Sequence, residues 1–292
     1  MKPPKLLLLL LASTLVISLR AESTAWRTLF NGRDLSGWET YLATPHPSVK
    51  YPGEVRGAQG AHAGPVGIGR DPTGVFSVVS KDGKPAIRIS GQIFGGLATL
   101  DSFTNYHLRM EMRWGELRWA PRSDRPRDGG LLYHSHGTWG GSLGKVWMPS
   151  FEYQIQENDM GDFWAINTAA MIPARRLPSG DWIFDDAAGL QSFSQPGSPR
   201  RCRRGTDGLE HPIGSWNVIE LVCLGDESWH LVNGTIVMHL QQLKKRVGDA
   251  WVRAEAGRIQ IQSEGAELFV RAIQVRPIRD RSDFPSIASP RQ

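Results

Sequence analysis

The sequence predicts an all-β fold, an antiparallel sandwich or barrel, on three observations. Apolar and polar residues alternate over many short runs. Dipeptides that tolerate positive φ separate several of these runs. Long helical periodicity is almost absent, so there are no crossover helices to support a parallel sheet.

The elements can be taken in order. "VFSVVS" (75–80) and "AIRIS" (86–90) flank "KDGK", where Asp82-Gly83 predicts a hairpin turn. Tyr106, Leu108, Met110, Met112 and Trp114 alternate with His107, Arg109, Glu111 and Arg113, the pattern of a half-buried strand. "SWHLVNGTIVMHL" gives two alternating runs joined by Asn233-Gly234, a second hairpin. "GRIQIQS" and "AELFVRAIQVRPI" add two closing strands. Three stretches break the pattern and are expected to be long loops: 43–74, 118–128 and 173–214. Neither an internal repeat nor a linker divides the chain, so residues 22–292 are read as one domain.

The first 21 residues have the layout of a signal peptide. Lys2 and Lys5 precede an apolar run, with small residues near Ala21 as the cleavage region. The run is shorter than the ~20 residues that cross a bilayer, so a periplasmic or secreted protein with no membrane partner is expected. Cleavage removes Lys2, Lys5 and Arg20, leaving 31 basic against 29 acidic residues. That near balance gives no reason to expect a nucleic-acid partner, and Arg200, Arg201, Arg203 and Arg204 read as a solvated loop. Cys202 and Cys223 leave a disulfide open.

Six stretches in order carry a resemblance: "TLFNGRDLSGWETY", "GVFSVV…AIRISGQIFGGLATLDSFTNYHLRMEMRWGE", "RDGGLLYHSHG", "SFEYQIQENDMGDFW", "SWNVIELVCLGDESWHLVNGTIVMHL" and "GRIQIQSEGAELFVRAIQVRPI". Together they resemble the 3-keto-disaccharide hydrolase domain family, formerly domain of unknown function 1080, over residues 26–278. The resemblance implies a concanavalin A-like or LamG-like jelly-roll β-sandwich of two curved antiparallel sheets. It also implies export and carbohydrate substrates whose C3 hydroxyl is oxidised to a ketone. The chain departs from many relatives in carrying Asp128-Gly129-Gly130 where they have Asn-Ser-Gly, and in continuing "ENDMGDFW" after the cleft strand.

Within such a sandwich, "SFEYQIQ" sends Phe151, Tyr153 and Ile155 to the core, and Glu152, Gln154 and Gln156 to the cleft. By the same alternation "GLLYHSH" sends Leu131, Tyr133 and Ser135 inward, and His134 and His136 to the cleft. An imidazole then faces a carboxylate with amides around it, a mixture suited to sugar hydroxyls. Trp139, Trp147 and Trp164 are candidate stacking platforms, each weighed against an ordinary buried aromatic. His134, His136 and Glu152 are ligand types that suit Zn or Mn, but the strand-adjacent histidines lack a further fixed ligand, so no metal or cofactor is assigned.

Ordinary glycoside hydrolysis uses two carboxylates across the scissile bond. The cleft strand offers one, and Asp128, Glu157, Asp159 and Asp162 are not placed by alternation, so that mechanism is disfavoured. A 3-keto sugar needs less. Its ketone acidifies the C2 proton, so one base can start an elimination that expels the C1 substituent. Glu152 is the expected base and His134 the expected acid or enolate stabiliser. Gln154, Gln156 and His136 would orient the sugar, with Trp147 and Trp164 against it. The alternative is a non-catalytic, lectin-like carbohydrate-binding module; a structural interaction domain is a third reading.

Overall fold

The structure, a computed structural model, describes residues 25–142 and 144–284. The expected signal segment lies outside the described residues. Among those, no helix is long and apolar enough to cross a membrane.

In chain order the strands are β1 (Arg27–Thr28), β2 (Trp38–Leu42), β3 (Gly67–Ile68), β4 (Phe76–Lys81), β5 (Lys84–Ile89), β6 (Gly95–Thr99) and β7 (Phe103–Thr104). Next come β8 (Tyr106–Arg118), β9 (Gly130–Ser135), β10 (Ser150–Gln154), β11 (Phe163–Ile166), β12 (Thr168–Arg176), β13 (Trp182–Phe184) and β14 (Leu190–Ser194). The last are β15 (Arg201–Cys202), β16 (Asn217–Leu224), β17 (Glu227–Val232), β18 (Thr235–Val247), β19 (Ala250–Arg253), β20 (Ala256–Ser263) and β21 (Ala266–Pro277).

Two antiparallel sheets form a jelly-roll sandwich. One runs β13-β12-β18-β17-β16-β8-β21-β5-β4, with β1, β14 and β19 attached. The other runs β15-β11-β10-β9-β20-β6-β2-β3, with β7 on β20. Both expected hairpin turns form: Asp82 and Gly83 have φ of 51° and 73°, and Asn233 and Gly234 have φ of 48° and 82°.

The core is the space between the sheets. Tyr106, Leu108, Met110 and Met112 from β8 are fully buried there, as are Phe151, Tyr153 and Ile155 from the opposing sheet. Each side chain of this size contributes about 1.5–3 kcal/mol by leaving water. That layer holds the sandwich without a disulfide, because Cys202 and Cys223 are free and buried in different sheets.

A buried polar chain also crosses it. His230 Nδ1 lies 3.0 Å from the Gly161 carbonyl, so this nitrogen carries the proton and Nε2 accepts from Tyr133 Oη at 3.1 Å. Tyr133 Oη also bonds Ser228 at 2.7 Å, and Tyr153 Oη donates to the Leu231 carbonyl at 2.9 Å.

The expected loops divide. Residues 173–214 are not one open loop: β14 pairs along β12 from Ala169–Ser194 to Pro173–Leu190, and β13 and β15 also join the sheets. The stretch 43–74 is mostly irregular, as expected. It is fastened by Arg56, which donates to the carbonyls of Pro47, Val49 and Gly60 and to Glu54. The excursion after β8 is anchored by Trp119, whose indole donates to the Ser90 carbonyl at 2.9 Å.

Candidate active site

The site is built on the outer face of three neighbouring strands, β10, β9 and β20. From β10 come Glu152 and Gln154, only 5% and 6% exposed. From β20 comes Gln262, fully buried, with Glu264 just past the strand end. The middle strand places Gly130 directly opposite Gln154. A Cβ there would lie 2.3 Å from Gln262 Oε1 and 2.9 Å from Glu152 Oε1, so glycine lets side chains of the flanking strands meet above β9.

These residues line a cavity of about 220 Å³. Asp128, from the loop before β9, brings a second carboxyl, and Glu264 a third. Arg122 and Arg200 supply guanidinium groups. Arg122 ion-pairs with Asp128 and donates to Gln156 Oε1 at 3.2 Å. Gln156 in turn donates to Asp159. Trp147 donates its indole proton to the Gly95 carbonyl at 2.8 Å, which fixes one wall. Trp164 stands opposite Glu152 in the β10–β11 register, and Arg200 and Arg201 lie over its ring at 4.7 and 5.2 Å.

The segment after β10 is clamped from below. Glu210 accepts from the amides of Asn158 and Met160, and buried Arg204 bonds the Asn158 and Met160 carbonyls and Glu210. Asp162 accepts from Arg201 and from the Arg204 amide. The arginine run is therefore structural as well as cavity-lining, contrary to the solvated loop expected from sequence. Removing Glu210 would leave the buried Arg204 guanidinium without this carboxylate and should cost about 3 kcal/mol, the low end for a buried pair because Glu210 is itself only partly buried.

Crowded, buried carboxyls resist ionisation. Burial pushes Glu152 up to about 8 and the charge of Asp128 adds to that, while Arg200, Gln262 and Arg122 pull it down. The Gln262 amide lies close enough to do so, although neither of its polar atoms closes a well-formed hydrogen bond. Burial raises Asp128 to about 6, opposed by Arg122 and by the Gly129 amide, which donates to it at 2.9 Å. Glu264 is raised well above the usual range by burial, then by the charges of Asp128 and Glu152.

His134 does not face this cavity. Its φ is 48°, and between the Arg258–Ser135 and Gln260–Leu132 pairs β9 spends three steps against two on β20. That extra residue is a β-bulge, and it turns the imidazole into the core against Tyr106, Tyr133 and Phe151. Ser135 takes the outer place, accepting from Gln260 Nε2 at 2.6 Å. Burial lowers His134 to about 4, so it is neutral at physiological pH.

His136 is half-buried, bonds the His134 carbonyl through Nδ1 at 3.0 Å, and is absent from the cavity lining. The conceivable metal set of His134, His136 and Glu152 therefore does not assemble. Trp139 donates to Glu39 and stacks on Tyr41, also outside the lining.

The structure thus brings together Glu152, Gln154, Gln156, Trp147 and Trp164, and separates His134 and His136 from them. It adds Asp128, Glu264, Gln262, Arg122 and Arg200. Gln262 and Glu264 had a readable signal: "RIQIQSE" repeats the alternation of "SFEYQIQ". The two arginines sit in irregular segments where no periodicity marks them.

An all-β sandwich with a carboxyl-rich cavity on one sheet is the class of protein defined so far. The chain belongs to the 3-keto-alpha-glucoside-1,2-lyase-like domain family, whose model matches residues 25–276. A search of curated proteins gives no match. Among solved structures, the chain is similar to a glycosyl hydrolase candidate from Parabacteroides distasonis (14% identity, 87% of this chain and 94% of that one, TM-score 0.45). It is also similar to a carbohydrate-binding module from Bacillus subtilis (10% identity, 69% and 91%, TM-score 0.40). A third similarity is to a β-glucanase from Bacillus licheniformis (9% identity, 89% and 100%, TM-score 0.39).

Proposed function

We propose that this is an exported carbohydrate-active enzyme that cleaves 3-keto-glycosides by removing the C2 proton and eliminating the C1 substituent. The observation that carries the reading is the convergence of three crowded carboxyls with two guanidiniums and three amides in one sugar-sized cavity. Family membership supports the ketone-bearing substrate.

The roles follow from the unequal acidities. With Asp128 near 6 and Glu152 near 8, the interval between them holds Asp128 ionised and Glu152 protonated. Asp128 takes the C2 proton. The C–H electron pair moves into the C2–C3 bond, and the charge on the C3 oxygen is met by Arg122 and Arg200. Collapse of this enolate forms the C1–C2 double bond and breaks C1–O. Glu152 gives its proton to the departing oxygen, so an alcohol and an unsaturated keto sugar leave. Water added across the double bond completes a net hydrolysis. Glu152 is thereby reassigned from base to acid, and the role expected of His134 passes to the arginines. Gln154, Gln156 and Gln262 orient hydroxyls, with Trp147 and Trp164 against the ring.

The test compares glycosides with their 3-keto counterparts, following release of the aglycone. Release from the keto forms alone is expected. The kcat/KM profile should rise near pH 6 as Asp128 ionises and fall near pH 8 as Glu152 does. Asp128→Asn and Glu152→Gln should each reduce turnover by about 10²–10⁴ while remaining folded. Equal cleavage of unoxidised glycosides would instead favour two-carboxylate hydrolysis, a second reading that the trio of carboxyls makes chemically open. Binding without release would identify a lectin-like module.

A further inference from the structure

We infer that a second cavity beside the first is an aglycone subsite for a planar, apolar leaving group such as a benzyl or aryl ring. This rests on the proposed cleavage only for the identity of the bond whose leaving group the second cavity would receive.

The second cavity measures about 230 Å³, close to the first in size and more apolar in its lining. Ala43, Phe94, Ala120, Pro121 and Val146 supply its apolar lining, Thr44, His46 and Gln92 complete it, and no Asp, Glu, Arg or Lys is among its lining residues. The two spaces share a partition. Trp147 lines the carboxyl-rich cavity, and its ring stacks on Phe94 of the apolar one at 6.4 Å and 23°. Its chain neighbour Val146 lines the apolar side. Arg122 and Pro121 repeat the arrangement, adjacent residues on opposite sides.

The Phe94 main chain is fixed by its carbonyl, which accepts from the Ala43 amide at 2.8 Å, and its ring packs on Trp147. A C1 substituent directed past Trp147 from a sugar among the carboxyls would meet Phe94, Ala120, Pro121 and Val146, with Thr44, His46 and Gln92 completing the lining. An apolar cavity of ~150 Å³ takes a benzene ring, so the volume suffices. Two irregular excursions unexplained by the strand pattern, 43–74 and 118–128, each contribute to this wall.

The experiment uses methyl and benzyl 3-keto-glucosides, whose leaving groups are both simple alkoxides. Wild type should process the benzyl compound with kcat/KM at least tenfold higher. Phe94→Ala and, separately, Val146→Asp should abolish that preference while leaving the methyl compound within about twofold of wild type. Equal wild-type rates for the two compounds, or equal losses on both in the two variants, would overturn the subsite. If neither compound is cleaved, the elimination reading fails, and the subsite is decided by calorimetric binding of the same pair. Tighter benzyl binding that Phe94→Ala removes supports it; equal affinities overturn it.

Discussion

At the scale of single residues, Gly130 decides whether Glu152 and Gln262 can share one space. An added methyl would press on the Oε1 atoms of both. These are the ends of flexible side chains, so the sheet should survive and the site should not. Gly130→Ala is expected to lower turnover at least tenfold and to move the melting temperature by only a few degrees, about the shift of one or two kcal/mol. Kinetics and a thermal melt on the same preparation check this. Full activity would show that Glu152 and Gln262 need not approach each other. Glu152, Gln154 and Gln156 were legible in the sequence because strict alternation fixes which face they occupy. Gly130 was not, since its meaning depends on the strands to either side.

At the scale of elements, the β9 bulge separates the residues that alternation places correctly from those it misplaces. One inserted residue reverses the face of its neighbours along the strand, so the rule that placed Glu152 correctly misplaced His134. Nothing local to "GLLYHSH" announces the slip. The partner strand records it instead: a Cβ on Gly257 would lie 2.3 Å from the His134 carbonyl carbon and 2.5 Å from its Cα. Glycine on β20 is therefore the space into which β9 bulges. The contact is with backbone, which cannot swing aside. Gly257→Ala should cost about 1–3 kcal/mol as the strands part, and more if the bulge shifts. Urea denaturation measures the cost, and a substitution without effect would show that the bulge does not depend on this contact. Strand order was illegible for a related reason. The polar faces of β10 and β20 can be read separately, but only the β10-β9-β20 order brings them into one cavity.

At the scale of the whole molecule, the buried titratable groups set opposing slopes of stability with pH. His134 and His230 are lowered by burial to about 4 and about 3. The unfolded chain binds their protons first, so acid below about pH 6.5 favours unfolding, and their contribution is complete above it. Glu152 acts in the other direction. Its native carboxyl keeps a proton up to about pH 8, whereas the unfolded chain releases it near the ordinary glutamate value. Raising pH across that interval therefore favours the unfolded state, and Glu264 has the same sign. Between pH 6.5 and 8 the histidine contributions are flat and the carboxyl cost remains, about 2 kcal/mol from Glu152 alone. Urea midpoints should accordingly fall from pH 6.5 to pH 8 in the wild type and fall less in Glu152→Gln. An equal or steeper decline in the variant would mean that Glu152 is already ionised in the native cavity at neutral pH. It would then be unable to protonate a leaving group, and the same measurement would return it to the role of base.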